Sequence, residues 1–266
     1  RRAAAAAGLI ARRIGAQLVS RPRKLDWWIE LERFWDALPA GVFTLDGYEQ
    51  FVADFCRRRG VPELFGDFRR QLFIPANDLD SGHRTVFGQG NFTEVPVPRA
   101  ICASSALPIV FEPVRIDGRD YVDGGIGKVA HVDILGRWGA SLLVVVNPMV
   151  PVSHVLDRKE LPAGYGKVGR VRDRGMFGVY NQAFRMAVKA RLHQGLRRFA
   201  ASNPEVSVIL LEPAESEATM FMYSPMNFAA RKTILKYGYD STLEYLRAHG
   251  ERLKEPLKRR GLEIAA

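Results

Sequence analysis

The sequence predicts an α/β fold, a sandwich of helices around a mostly parallel central sheet. Two observations point there. Ser141 to Val146 and Val206 to Leu211 are continuous apolar runs, which suit strands buried on both faces of a covered sheet. Segments of helical periodicity lie around and between them, and strands alternating with helices argue for that architecture.

The elements follow in order. Residues 1–20 read as a helix, Ala-rich with Leu and Ile at helical spacing, stopped near Pro22. Lys24 to Ala37 carries Leu25, Trp28, Leu31, Phe34 and Trp35 in amphipathic spacing and ends before Pro39. Those aromatics are expected in the core or a pocket wall. Asp46 to Arg59 is a third helix, with Tyr48, Phe51, Val52 and Phe55 on one face and Gly60 just beyond its end. From Gln71 the period changes. Leu72 to Ile74 is a short strand running into a turn-rich loop, Asn77 to Gly82, and Thr85 to Phe87 should pair with it. Pro98 to Ala106 is a short helix stopped by Pro108. Val110 to Ile116 and Arg119 to Val122 flank Asp117-Gly118, a strong hairpin signal. Between the two apolar strands, Val152 to Gly175 reads as a long flexible loop. Met176 to Phe199 reads as a basic amphipathic helix, its charge supplied by Arg185, Lys189, Arg191, Arg197 and Arg198. Phe228 to Leu246 is a further helix, and the last residues are a charged tail.

Composition bounds the function. The chain has 266 residues, 47% of them hydrophobic and 26% charged, which is ordinary globular composition for a single domain, 1–266. There are 39 Lys and Arg against 29 Asp and Glu, a net charge of +10. Such a balance suits anionic lipid surfaces or nucleic acid, or else arginines spread over a solvated surface. Cys56 and Cys102 form no C-x-x-C and no Cys/His cluster, so neither a disulfide framework nor a zinc site is expected; reduced thiols fit a cytoplasmic compartment. Arg1 to Arg13 is free of acidic residues. Its apolar stretch is short, Ala-dominated and closed by two arginines, which argues against a secretory signal. An Arg-rich presequence and an Ala-rich helix of a larger fold both fit, and the continuation, which reads as mid-domain, agrees with the second. No apolar run approaches the ~18 residues needed to span a bilayer.

The search for a nucleophile fails. Acyl hydrolases on α/β folds usually place Ser at a G-x-S-x-G elbow, where small neighbours let the strained turn expose Oγ. No such motif occurs. Gly139-Ala140-Ser141 has Leu143 where the second Gly belongs, and Ser104 and Ser105 lie in an Ala-rich helical setting without flanking glycines. Packing or capping accounts for them. A carboxylate does stand out: Asp123 follows a hairpin strand and precedes Gly124-Gly125, and glycines allow close backbone approach. A partly buried carboxylate there can act as a base. Taken alone the triplet is weak, because a turn with a side-chain hydrogen bond explains most of its kind.

Its context makes it specific. Asp-Leu-Asp-Ser-Gly at 78–82, Arg-Ala-Ile-Cys-Ala-Ser-Ser-Ala-Leu-Pro at 99–108, Phe-Glu-Pro-Val at 111–114 and Tyr-Val-Asp-Gly-Gly at 121–125 resemble, in order and spacing, the C-terminal part of patatin-like phospholipases. Gly41 to Gly47 resembles the family's segment upstream, and the likeness is good over 41–148. The resemblance implies a patatin-like α/β sandwich and a lipid acyl hydrolase working by a Ser–Asp dyad without cofactor or metal, with Asp123 as general base. The family usually carries Asn and Pro soon after Asp-Gly-Gly, where this chain has Lys128 to Asp133. The family's Gly-rich oxyanion loop and Ser elbow lie N-terminal to everything matched here. The expectation is therefore a domain truncated at its N-terminus: no nucleophile among these residues, and no activity in the chain alone. The alternative is a non-catalytic basic protein that binds lipid surfaces and has lost its active site.

Other patterns dissolve. Asp78-x-Asp80-x-Gly82 lacks the further acidic ligands of a calcium loop. Gly127-Lys128 has Val122 and Val129 at the P-loop's defining positions. Asp133 suits a helix start better than catalysis with His131, and His83, His154 and His193 are scattered and expected at the surface. The helix at 176–199, aromatic on one face and basic on the other, is either an ordinary surface helix or a peripheral contact with an anionic membrane. No nucleic-acid recognition motif is present.

Overall fold

A computed structural model describes residues 8, 12, 27–36, 38–153, 160–163, 166–215, 223, 228–258 and 261. The helix expected over 1–20 falls almost entirely outside them. The fold is mixed α/β, with parallel strand pairs and helices, and divides into two compact units, Arg1–Gly127 and Lys128–Ala266.

The first unit contains α1 (Trp27–Asp36), β1 (Gly41–Phe43), α2 (Asp46–Arg59), β2 (Ile74–Asp78), β3 (Arg84–Phe87), α3 (Val97–Ser105), β4 (Ile109–Phe111), β5 (Val114–Ile116) and β6 (Arg119–Asp123). Helix α2 has the expected bounds. Asp46 and Glu49 in its first turn and Arg57 to Arg59 in its last complement the helix dipole, and the Gly60 amide caps it by donating to the Arg57 carbonyl. The order β3-β2-β6-β5 makes an antiparallel sheet, and β1 pairs with β4 in parallel. Gly41 is required by that pairing, since a Cβ there would lie 2.2 Å from the Glu112 nitrogen. The expected hairpin is present: β5 and β6 join through Asp117 and Gly118, whose φ values of 48° and 80° are those of a type I′ turn.

The core of this unit lies where α3 packs on the sheet, around Ala76, Phe87, Ala100, Cys102, Ala103 and Tyr121. The Phe87 and Tyr121 rings meet edge to face at 5.3 Å. Both cysteines are free and buried; burial, then the nearby Glu49 charge, pushes the Cys102 thiol up to about 11.

Three expectations change here. The segment expected as one strand over 110–116 is split into β4 and β5 by Glu112-Pro113, and the two halves pair with different strands. Strand β2 extends through Asn77 and Asp78, which were expected in a loop, because their side chains bond to the neighbouring strand and turn. Trp28 and Trp35 are 73% and 53% exposed rather than in a core; helical spacing predicts a stripe but not what faces it. The aromatic face of α2, Tyr48, Phe51 and Phe55, is exposed too.

The second unit contains α4 (Val132–Arg137), β7 (Leu142–Val146), β8 (Leu161–Ala163), β9 (Gly166–Val168), α5 (Gly175–Ser202), β10 (Ser207–Leu211), α6 (Arg231–Ala248) and α7 (Gly250–Lys258). Strands β7 and β10 pair in parallel, Leu142 against Ser207 through Val146 against Leu211. Their inner face packs with Val132, Leu192 and Phe199. The expectation of burial on both faces is not met, since Val144 and Val146 on the other face of β7 are exposed. The expected flexible loop contains an antiparallel hairpin, β8–β9, and a short 3-10 turn at 171–174. Gln182 fastens its start by exchanging two hydrogen bonds with the Val152 backbone.

Helix α5 covers the expected segment, but Arg185 does not belong to its solvated charge. It is 5% exposed and donates to Asn181 Oδ1 at 2.8 Å and to the Val150 carbonyl at 3.2 Å. Burial, then the nearby Arg174 charge, pulls its pKa down to about 10. His193, expected at the surface, is half-buried and meets Glu212 at 3.0 Å. Asp133 sits in the first turn of α4, as expected, and pairs with Lys128. The segment expected as a charged tail includes α7.

Candidate active site

The candidate site forms at one end of the β2–β6 pairing. There Ala76 stands opposite Asp123, the last residue of β6, and the chain turns at once into a 3-10 turn, Gly124–Ile126. The Asp123 amide donates to the carbonyl of Ala106 at the end of α3, at 3.0 Å. Asn77, the neighbour of Ala76 on β2, donates through Nδ2 to the carbonyls of Asp123 (2.6 Å) and Gly124 (3.2 Å). Three elements thus fix the backbone that carries the carboxylate.

The side chain is bound lightly. Oδ1 accepts one hydrogen bond, from the Gly125 amide at 2.6 Å, and Oδ2 accepts none among the described residues. No cation pairs with Asp123 among the described residues. Burial raises its pKa above the usual carboxylate value, and the Gly125 amide opposes that only in part. The result is a half-buried, rigidly mounted carboxylate with one oxygen uncommitted and an enhanced affinity for a proton. Such a group is suited to take a proton from a hydroxyl brought to it.

The glycines are explained by space. A Cβ on Gly125 would lie 3.1 Å from Asp123 Oδ1. A Cβ on Gly127 would lie 2.7 Å from Asn77 Oδ1, and that amide cannot yield without giving up its two hydrogen bonds.

At the other end of the same pairing is Asp78, 2% exposed and opposite Tyr121. Burial pushes its pKa up, but the Ser81 and Asp80 amides (3.1 and 3.0 Å) and the Arg119 guanidinium (2.9 Å) outweigh this and hold the carboxyl below its usual value. Asp78 is a structural anion that closes the β2–β3 turn. Leu107-Pro108-Ile109 carries strain: Ile109, β-branched, has a φ of 72°.

Ser104 and Ser105 end α3, and Ser141 precedes β7 in the second unit. Asp123 does not line the cavities of about 690 and 350 Å³ in its own unit. Asn77 and Gly127 were missed from sequence. The only signal was register: once β2 and β6 pair in antiparallel fashion, Asn77 must stand beside the Asp-Gly-Gly turn. Among the described residues no group of His, Cys, Asp or Glu could hold a metal ion, and no helix is long and apolar enough to cross a membrane.

Comparison with known proteins adds two findings. A profile of the family described as patatin-like phospholipase matches residues 5–134, which contain the whole site. The uncharacterized protein YqhO of Bacillus subtilis (strain 168) is 29% identical over 116 residues, 40% of this chain and 38% of that protein. The chain therefore matches about two-fifths of that relative's length.

Proposed function

From the match of residues 5–134 to the patatin-like phospholipase family we propose that the chain supplies the general base of a lipid acyl hydrolase. The observation that carries the reading is Asp123: rigidly held, unpaired with any cation among the described residues and raised in proton affinity by burial. In the reaction a serine hydroxyl attacks the ester carbonyl and passes its proton to Asp123. Asp123 returns the proton to the departing alcohol, and water then hydrolyses the acyl-enzyme with Asp123 again as base. Backbone amides hold the tetrahedral oxyanion. The 266 residues contain no G-x-S-x-G, so the serine and the oxyanion donors come from sequence outside them in this reading. The substrate class is acyl esters of phospholipids or related lipids.

Two constructions test it. The product of the longest reading frame containing these residues should hydrolyse a short-chain p-nitrophenyl ester, and Asp123→Asn should lower kcat by about 10²–10⁴, the usual contribution of a positioned base. The 266-residue chain alone should show no hydrolysis above buffer. Unchanged activity in Asp123→Asn sinks the assignment; Asp123-dependent activity in the short chain shows instead that the nucleophile lies within it.

The second reading, lipid-surface binding, draws support from α5. Met176, Val179 and Met186 are exposed on this helix, which also carries Lys189, Arg191, Arg197 and Arg198, although Arg185 is buried and Lys189 pairs with Glu215. In the enzyme such a face would be a peripheral contact. Sedimentation with anionic vesicles that falls with added salt would support it.

A further inference from the structure

The second unit holds a feature that ester hydrolysis by Asp123 does not use. Beyond the carboxyl ends of β7 and β10 lies a cavity of about 580 Å³. Its floor is Val146 and Leu211, the last residues of the two strands, and its roof is helix α6. Ile234, Gly238, Ser241 and Tyr245 recur at one-turn spacing along α6, and Leu235, Tyr239, Thr242 and Leu246 form a second row beside them, so a broad face of the helix borders the space. The position is where open α/β sheets bind ligands, and the size falls within the range of small-molecule sites.

One end is polar and ordered. Asn147, 5% exposed, directly follows β7 and donates through Nδ2 to Glu212 Oε2 at 3.1 Å. Its Oδ1 accepts from the Met149 amide at 3.0 Å, which fixes the amide's orientation. His193, on α5, meets Glu212 Oε1 at 3.0 Å and donates there, since a carboxylate only accepts. Each Glu212 oxygen thus has one donor, and a carboxylate offers about four acceptor sites. Glu212 therefore enters the cavity wall oriented and with acceptor capacity left.

We propose that this cavity binds a single-chain amphiphile whose polar end is a hydrogen-bond donor: an alkyl or acyl chain lying under α6, with its hydroxyl head on Glu212. A hydroxyl donates its one proton to a remaining acceptor site, whereas a fatty-acid carboxylate would place a second acceptor-only group against the first. The site therefore discriminates an alcohol from the acid of equal chain length. It is independent of Asp123.

The probes are 1-octanol and octanoate, titrated into the full chain by calorimetry. Octanol should bind at least tenfold more tightly than octanoate. Gly238→Phe fills the cavity; a Cβ at Gly238 meets nothing within 4 Å, and a helix interior prefers almost any residue to glycine. The variant should keep its Tm and lose octanol binding by tenfold or more. Glu212→Gln, which retains the side-chain volume, should narrow the octanol-to-octanoate preference to within about threefold and covers the case in which the Phe variant does not fold. The proposal is overturned by undetectable octanol binding, by octanol binding that survives in folded Gly238→Phe, or by a preference for octanol that Glu212→Gln leaves intact.

Discussion

The two ends of the β2–β6 pairing each present an aspartate, and the pair separates structure from chemistry. Asp78 and Asp123 lie on adjacent strands, both partly or wholly withdrawn from water. Asp78 is surrounded by donors: two amides, a hydroxyl and a guanidinium, which outweigh burial and lower its pKa. Asp123 has one amide and, among the described residues, no cation, and its pKa goes up. Burial is common to both. What differs is how many donors compensate it, and that decides whether a carboxylate is an anchor or a base.

The largest effects should therefore separate by observable. Asp123→Asn is expected to remove catalysis in the full-length protein while leaving urea stability unchanged or improved. Asp78→Ala is expected to cost about 2–3 kcal/mol in urea unfolding, because it strands buried amides and an arginine. The pH dependence has opposite signs. Asp78 has a lowered folded pKa, so its stabilisation is present above the unfolded value of 3.8 and is lost as pH falls through the folded value. Asp123 has a raised folded pKa, so its ionised form opposes folding. The advantage of Asn at 123 should be full above the folded pKa, shrink as pH falls, and vanish below 3.8. A thermal-melt series from pH 3 to 8 on wild type and both variants reads this directly.

Smaller effects probe the mounting. Asn77→Ala removes both bonds to the Asp123 and Gly124 carbonyls. It should cost about 1–2 kcal/mol and lower kcat roughly tenfold with KM unchanged, since it displaces the base without touching substrate. Equal kcat in Asn77→Ala would show that β2 has no part in positioning. Smallest, and of opposite sign, Ile109→Gly should raise stability by about 1 kcal/mol by relieving a left-handed β-branched residue.

Much of the first unit was legible because its signals are local. Asp117-Gly118 forces its hairpin by its own φ preferences, and α2 carries its start charges, its periodicity and its stop within residues 46–60. Asp123 was legible as a residue, from the motif around it. Its mounting was not: Asn77 and Asp78 are polar residues with turn propensity, and only strand pairing turns them into the end of β2. The second unit was harder for the same reason. Its strands 142–146 and 207–211 stand out as apolar runs, but the exposed face of the first does not. The hairpin at 161–168 carries weak strand signals among glycines, and Arg185 looked like surface charge until Asn181 and the Val150 carbonyl were seen to enclose it. Glu212 drew no notice, because its partners come from positions 147 and 193.

The most direct test of the contrast is a carboxyl-carbon NMR titration of the 266-residue chain, assigned with Asp78→Asn and Asp123→Asn. Asp123 should titrate above 3.8 and Asp78 below it. An Asp123 resonance that titrates at or below that of Asp78 would mean the carboxylate is already stabilised as an anion, and would contradict its role as the base.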